Sequence, residues 1–481
     1  MINSIKERSF LQKIVRKKFY LLAFSILAFW YISLFPGRAG ADAVGLVRLI
    51  KSGGTTNWWT SSYFWFIKFS TFDGRSIALT SFLLLITQAM TFFWCIKALP
   101  GDIKLKENAF LILLATPLFS VFGLNIGHDT LQVSGLFILI GIELRRIQKI
   151  QANRKRILFE YTLSFLLLTT TQTGVYIVIL SLLILCIRRQ FKYAFILTMF
   201  ITIFILISNL GVSTTLFNGV EVTHTADAKF APMLADLKCV AQHPLADIGE
   251  QQWLVLEKIA SKDVWKTQLS CDSTDSISGL KMRPKSLNLN SINFFKTYMS
   301  VTFNNPAIVA MAHIQRGRGL LPPPFFQAPD NQVTLDTKIP VGFGTNTALQ
   351  SGPELLHPSI DEPTLKVNSS VLKILESLAQ GPIFIFNQAS WFWGWAGLWT
   401  WPILIYWAWK LKIRKLKTII VTLYPIIALH SLLLFVIPLS HPRYYMAAII
   451  LGVYLTILML LETLSSNKSS NDIKPLSLDK G

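Results

Sequence analysis

Apolar residues in this chain fall in long unbroken runs rather than in alternating or two-faced patterns. The first covers residues 19–35 and follows a basic stretch carrying Lys6, Arg8, Lys13, Arg16, Lys17 and Lys18. Six more fall at 77–99, 109–126, 131–144, 157–172, 174–187 and 193–212, and three follow a long interval at 391–409, 419–439 and 444–461. A helix needs about 20 mainly apolar residues to cross a bilayer, so the pattern predicts an all-α polytopic membrane protein of about ten transmembrane helices. The pair between 157 and 187 is short and closely spaced.

Charge orients these spans. The first run is basic on its near side and lacks a small-residue cleavage site, so it is expected to stay as a span rather than leave as a signal peptide. Cations flanking a first span remain cytoplasmic, which places the amino terminus inside and residues 36–75 outside. The same alternation puts Arg145, Arg146, Lys149, Arg154, Lys155 and Arg156 inside, and likewise Arg188, Arg189 and Lys192, and the basic run from Lys410 to Lys417. The expected organisation is an N-terminal membrane domain over 1–212 and an extracytoplasmic segment of mixed or irregular structure over 213–390. Three C-terminal spans over 391–461 and a cytoplasmic tail over 462–481 complete it. The protein is expected in the cytoplasmic (inner) membrane, with both termini inside and its active face outside.

Composition agrees: 52% of residues are hydrophobic, 15% are charged and mean hydropathy is +0.46. The net charge of +20 does not call for a nucleic-acid partner. Segment 213–390 balances 14 Lys and Arg with 15 Asp and Glu, so the surplus sits in loops that meet an anionic inner leaflet. Cys239 and Cys271 both fall in that outer segment, where a disulfide between them is allowed. No Walker loop, dinucleotide fingerprint, paired-cysteine zinc pattern or His-Glu-x-x-His is present, which argues against an ATP-driven pump, a zinc protease and a nucleotide-sugar enzyme.

Candidate chemistry gathers on the outer side. The first span ends in Phe35-Pro36-Gly37-Arg38-Ala39-Gly40-Ala41-Asp42. A carboxylate such as Asp42 at the membrane edge can take a proton from an acceptor hydroxyl or help hold a divalent metal, Mg or Mn. Trp58 and Trp59 open an aromatic stretch suited to the headgroup region, as an interfacial helix or re-entrant segment that roofs a cavity reached from the lipid. Gly127-His128-Asp129 forms almost the whole next outer loop and brings a second acid to the same side; as a helix cap, Asp129 would have a purely structural role. The last outer loop, His441-Pro442-Arg443-Tyr444-Tyr445, carries Arg443, whose guanidinium fork matches phosphate oxygens.

Taken together, these features resemble the GT-C superfamily of integral-membrane glycosyltransferases. The resemblance lies in Asp42 in the first outer loop, Asp129 in the next, a large outer segment before the last spans, and the Pro442-Arg443-Tyr444 loop. It is nearest to bacterial members whose first loop opens with Phe-Pro-Gly. It implies a polyprenyl-phosphate-linked sugar donor and inverting transfer to an envelope glycan, lipid or protein acceptor. Asp42 would be the base, Asp129 an assisting acid or metal ligand, and Arg443 the binder of the donor phosphate, with His128, Tyr444, Trp58 and Trp59 lining the substrate site. Two other classes compete: a transporter, flippase or polymerase of lipid-linked glycans, which predicts polar residues in mid-span, and a non-enzymatic membrane assembly protein.

Overall fold

The computed structural model describes residues 2–35, 37–39, 41–56, 60–98, 103–147, 153–213, 221–222, 227–267, 291–317, 369–388, 399–401, 405, 424–433, 447–453 and 456–457. Helix dominates them. The predicted runs of the N-terminal half reappear as α1 (Ile2–Ser33), α4 (Ala78–Lys97), α5 (Ile103–Ala115) with α6 (Pro117–Gly123), α7 (His128–Ile147), α8 (Arg154–Leu168), α9 (Gln172–Ile187) and α10 (Phe191–Ser213). Two described helices are long and apolar enough to cross a membrane, Ala78–Lys97 and Phe191–Asn209; the pair α5 and α6, bent by 66°, makes a third if counted as one span. That bend has a local cause. Pro117 has no backbone N–H to continue the ladder of α5, and it is tolerated only as the first residue of a new helix.

These helices share one apolar core that includes Trp30 of α1, Phe92 of α4, Phe119 of α6, Phe137 of α7, Phe165 of α8 and Leu197 of α10. The closest approaches use residues without bulk. Gly135 of α7 meets α8, where a Cβ would lie 2.9 Å from both the Ser164 carbonyl and the Leu168 side chain, and Ser164 Oγ donates to the Gly135 carbonyl at 2.7 Å.

At one end of the bundle several of the cations expected in cytoplasmic loops hold two buried carboxylates. Arg145 of α7 and Arg156 of α8 both hold Glu160, the second at 2.9 Å. Arg188, just past α9, forks onto Glu143 of α7 at 2.8 and 2.9 Å, and Arg146 adds a third bond at 2.9 Å. Three helix ends are thereby tied together.

Past α10 lies a separate helical unit: α11 (Asp227–Gln242), α12 (Glu250–Leu256), α13 (Lys262–Thr267), α14 (Ser291–Asn304) and α15 (Pro306–Arg316). Helix α15 opens on Pro306, whose missing N–H would be unpaired in a first turn anyway. Leu234, Leu237, Leu256, Trp265, Phe294 and Val301 form its core. Asp236 of α11 is buried inside it, paired with Arg316, with His313 Nε2 at 3.1 Å and with the Tyr298 hydroxyl at 2.9 Å. Cys239 carries a disulfide while Cys95 and Cys186 are free thiols; Cys271 lies outside the described residues. A further helix, α16 (Ser369–Gln388), packs on α1 and α6 although the sequence assigns it to the extracytoplasmic segment. Of the C-terminal runs, α17 (Tyr424–Leu433) and helical residues 399–401, 405, 447–453 and 456–457 are described, and the rest, with the tail 462–481, lies outside.

Glu160 and Tyr298 give this packing two measurable consequences. Glu160→Ala leaves the buried Arg145 without its carboxylate, which should cost about 3–5 kcal/mol of stability, read as a drop in the unfolding midpoint of detergent-solubilised protein. Burial, then the Asp236 charge, pushes the Tyr298 hydroxyl up to about 12. A phenol raised above its unfolded value of 10.0 contributes stability below that pH and loses it as pH rises through about 12. The helical unit past α10 should therefore loosen between pH 10 and 12, followed by near-UV circular dichroism, and Tyr298→Phe should flatten that pH dependence.

Candidate functional site

The loop after α1 turns at Gly37, where glycine is required twice over. Its φ is +116°, and any Cβ there would overlap the Ser81 hydroxyl of α4 and approach the Leu124 carbonyl at 3.2 Å. The chain then runs beside the turn before α7. Strand β1 (Arg38–Ala39) pairs in parallel with β3 (Asn125–Ile126), with Arg38 opposite Asn125 and Ala39 opposite Ile126.

This register sets the two predicted acids in matching places. Asp42 is the second residue of α2 (Ala41–Lys51), three positions past Ala39, and Asp129 is the second residue of α7, three positions past Ile126. Each acid opens the helix that follows its strand, where a negative charge complements the helix dipole. The expected His128-Asp129 loop is thus the first turn of α7, because Gly127 and β3 already complete the connection.

One small core carries both helices. The face of α2 beginning directly after Asp42, with Ala43, Val44, Leu46, Val47 and Ile50, packs with Tyr63, Phe64 and Ile67 of α3 (Ser61–Ser70) and with Leu84, Ile126 and Leu131. In this way the connection between α1 and α4, α4 itself and the start of α7 become a single packed unit. Helix α3 occupies part of the aromatic stretch where an interfacial helix or re-entrant segment is expected, and it is capped by the Thr60 hydroxyl. Its Tyr63 ring lies 5.6 Å from the His128 ring, and Trp65 Nε1 donates to the Ser208 carbonyl of α10 at 3.0 Å. A second ladder, β2 (Thr55–Thr56) with β4 (Glu221–Val222), repeats the tie between this loop and the segment after α10.

Around Asp129 the site is polar and open. Asp129 and His128 keep 32% and 40% of their side-chain surface, with Nδ1 to Oδ1 at 3.4 Å. A partly solvated acid of this kind can accept a proton from a bound hydroxyl, whereas the buried Glu143 and Glu160 are saturated by arginines. Behind the ladder, Ser81 Oγ, both amide atoms of Gln88 and Asn125 Oδ1 are buried without hydrogen-bond partners. Gln88 was not singled out from the sequence; a lone amide inside the 77–99 run was its only signal.

The remaining predicted residues are not brought to this place by the described chain. The Asp42 side chain and the residues Trp58, Trp59, Arg443 and Tyr444 lie outside the described set. Among the described residues no group of three or more His, Cys, Asp or Glu side chains is placed to hold a metal ion. A groove of about 660 Å³ between α12 and α14, lined by Gln252, Asn293, Lys296 and Ser300 among others, contains none of the predicted site residues. Comparisons with protein families, with curated proteins and with solved structures returned no match for this chain.

The ladder between β1 and β3 is directly testable. Parallel partners lie about 5 Å apart across a ladder, within the span of a disulfide. Ala39→Cys combined with Ile126→Cys should therefore cross-link under mild oxidation, seen as a reducible mobility shift, while Ala39→Cys with a cysteine placed at Met90 should not.

Proposed function

We propose that this protein is an integral-membrane glycosyltransferase of the GT-C type, taking a sugar from a polyprenyl-phosphate donor to an envelope glycan, lipid or protein on the outer face. The observation that carries the reading is the matched placement of Asp42 and Asp129, each three residues beyond a paired strand position and each mounted on the same small core. Asp42 acts as the base that deprotonates the acceptor hydroxyl, which attacks the anomeric carbon as the lipid phosphate leaves, inverting the configuration. Asp129 assists as an acid or as a ligand to Mg or Mn, and His128 contacts substrate beside it. Arg443 takes the donor phosphate, with Tyr444, Trp58 and Trp59 completing the substrate site.

The proposed topology has about ten crossings, the number of apolar runs long enough to span or nearly span a bilayer. Counting α5 with α6 as one crossing, alternation from a cytoplasmic amino terminus puts both ladders on one side and the Glu143 and Glu160 ion pairs on the other. Strand pairing needs its partners on the same side of a membrane, so both ladders support this arrangement.

A second reading, a transporter or flippase of lipid-linked glycans, draws on one observation. Gln88 stands midway along α4, fully buried with its amide unpartnered, and polar groups at that depth often mark a translocation path.

One assay separates the two. Membranes containing the protein are given a radiolabelled polyprenyl-phosphate sugar, and transfer to acceptor is followed. Asp42→Asn should reduce transfer by about 10²- to 10⁴-fold, the usual contribution of a general base, at unchanged membrane abundance. Undiminished transfer in that variant would overturn the role of Asp42. Movement of the donor across the bilayer without transfer, lost in Gln88→Leu, would favour the transporter.

A further inference from the structure

Helix α16 (Ser369–Gln388) is apolar on two sides at once. Ala379 and Ile383 are 1% exposed and belong to the core that holds α1, α4, α6 and α7 together, and the helix packs on α1 and α6. Away from that contact, Val371, Ile374, Leu378 and Ile385 follow one another at helical spacing on a single stripe with Phe384 beside it, and each is exposed, Ile385 to 71%. A soluble unit rarely leaves such a stripe in water.

We infer that α16 lies in the outer leaflet of the membrane, with this stripe against the acyl chains of the lipid. The occupant follows from what the other side of the helix touches. The buried side joins the same apolar core as α4, and α6 is the half of the bent pair that leads through Leu124 into β3. A helix packed there shares the apolar surroundings of its neighbours, and its outward stripe matches in character the exposed apolar face of α4, where Met90 is 64% exposed. Lys373 and Glu376 are the only charged residues among its 20. The arrangement gives a membrane lipid an apolar wall beside α6, the helix that leads into β3. The inference rests on the reading of α4 as a membrane span.

Spin labelling of the full chain in lipid nanodiscs tests it. In a Cys95→Ala, Cys186→Ala background, single cysteines replace Leu378, Ile385, Met90 as the lipid reference, and Leu245, 84% exposed on the helical unit past α10, as the water reference. Each label is read by its collision rate with dissolved oxygen, which concentrates in lipid, and with a water-soluble nickel chelate. Labels at 378 and 385 should match position 90, with an oxygen-to-nickel ratio several-fold above that at 245. A ratio like that at 245 would put the stripe in water, and low collision with both reagents would put it against protein; either result overturns the inference while leaving α4 in the membrane. If position 90 itself reads as water, the membrane placement fails for both helices.

Discussion

Backbone N–H and C=O groups leaving a packed helix bundle must find partners, because an unpaired one held away from water costs as much as a lost hydrogen bond. Here that requirement is met across the bundle rather than within each loop. The two residues after Gly37 pair with the two before Gly127, and the two after Gly54 pair with residues beyond α10. Each ladder is short, yet each fixes a register, and the register brings Asp42 and Asp129 to equivalent positions. Gly37 makes the first one possible by lying flat against Ser81, so the placement of the acids traces back to a single position without a side chain.

The charged groups divide into two kinds. Glu143, Glu160 and Asp236 are buried and each is held by at least one arginine, an arrangement that fixes helix ends and leaves little capacity for proton transfer. Asp129 keeps a third of its surface and has His128 as its neighbour. The buried acids are committed to ion pairs, whereas Asp129 stays partly open to solvent. The same distinction separates the Arg145 and Arg188 pairs from the solvated cytoplasmic loops that their sequence context suggested.

Much of the N-terminal half was legible in the sequence because its signal is additive: runs of apolar residues long enough to cross a bilayer need no partner to be recognised. The helices α4, α7, α8, α9 and α10 begin and end within a few residues of the expected runs. Asp42 and Asp129 could be picked out by their proximity to predicted span ends. Their relation to each other could not, since a two-residue strand such as Arg38-Ala39 carries no periodicity and its pairing is a long-range event. The burial of Arg145 and Arg188 was hidden for the same reason, as their carboxylate partners lie on other helices or far along the chain. Helix α16 was missed because its apolar residues are interrupted by Lys373, Glu376 and Pro382, which break the run without breaking the helix.

The first ladder joins residue 38 to residue 125, and the second joins residue 55 to residue 221. A ribosome delivers these partners in order, so the loop bearing Asp42 waits, without its backbone partners, until the two apolar runs at 77–99 and 109–126 have been made. The second tie waits longer, for the end of α10. Alignment of the acid pair therefore follows synthesis of α4, α5 and α6, and a chain halted before β3 would hold Asp42 without the ladder that sets its register.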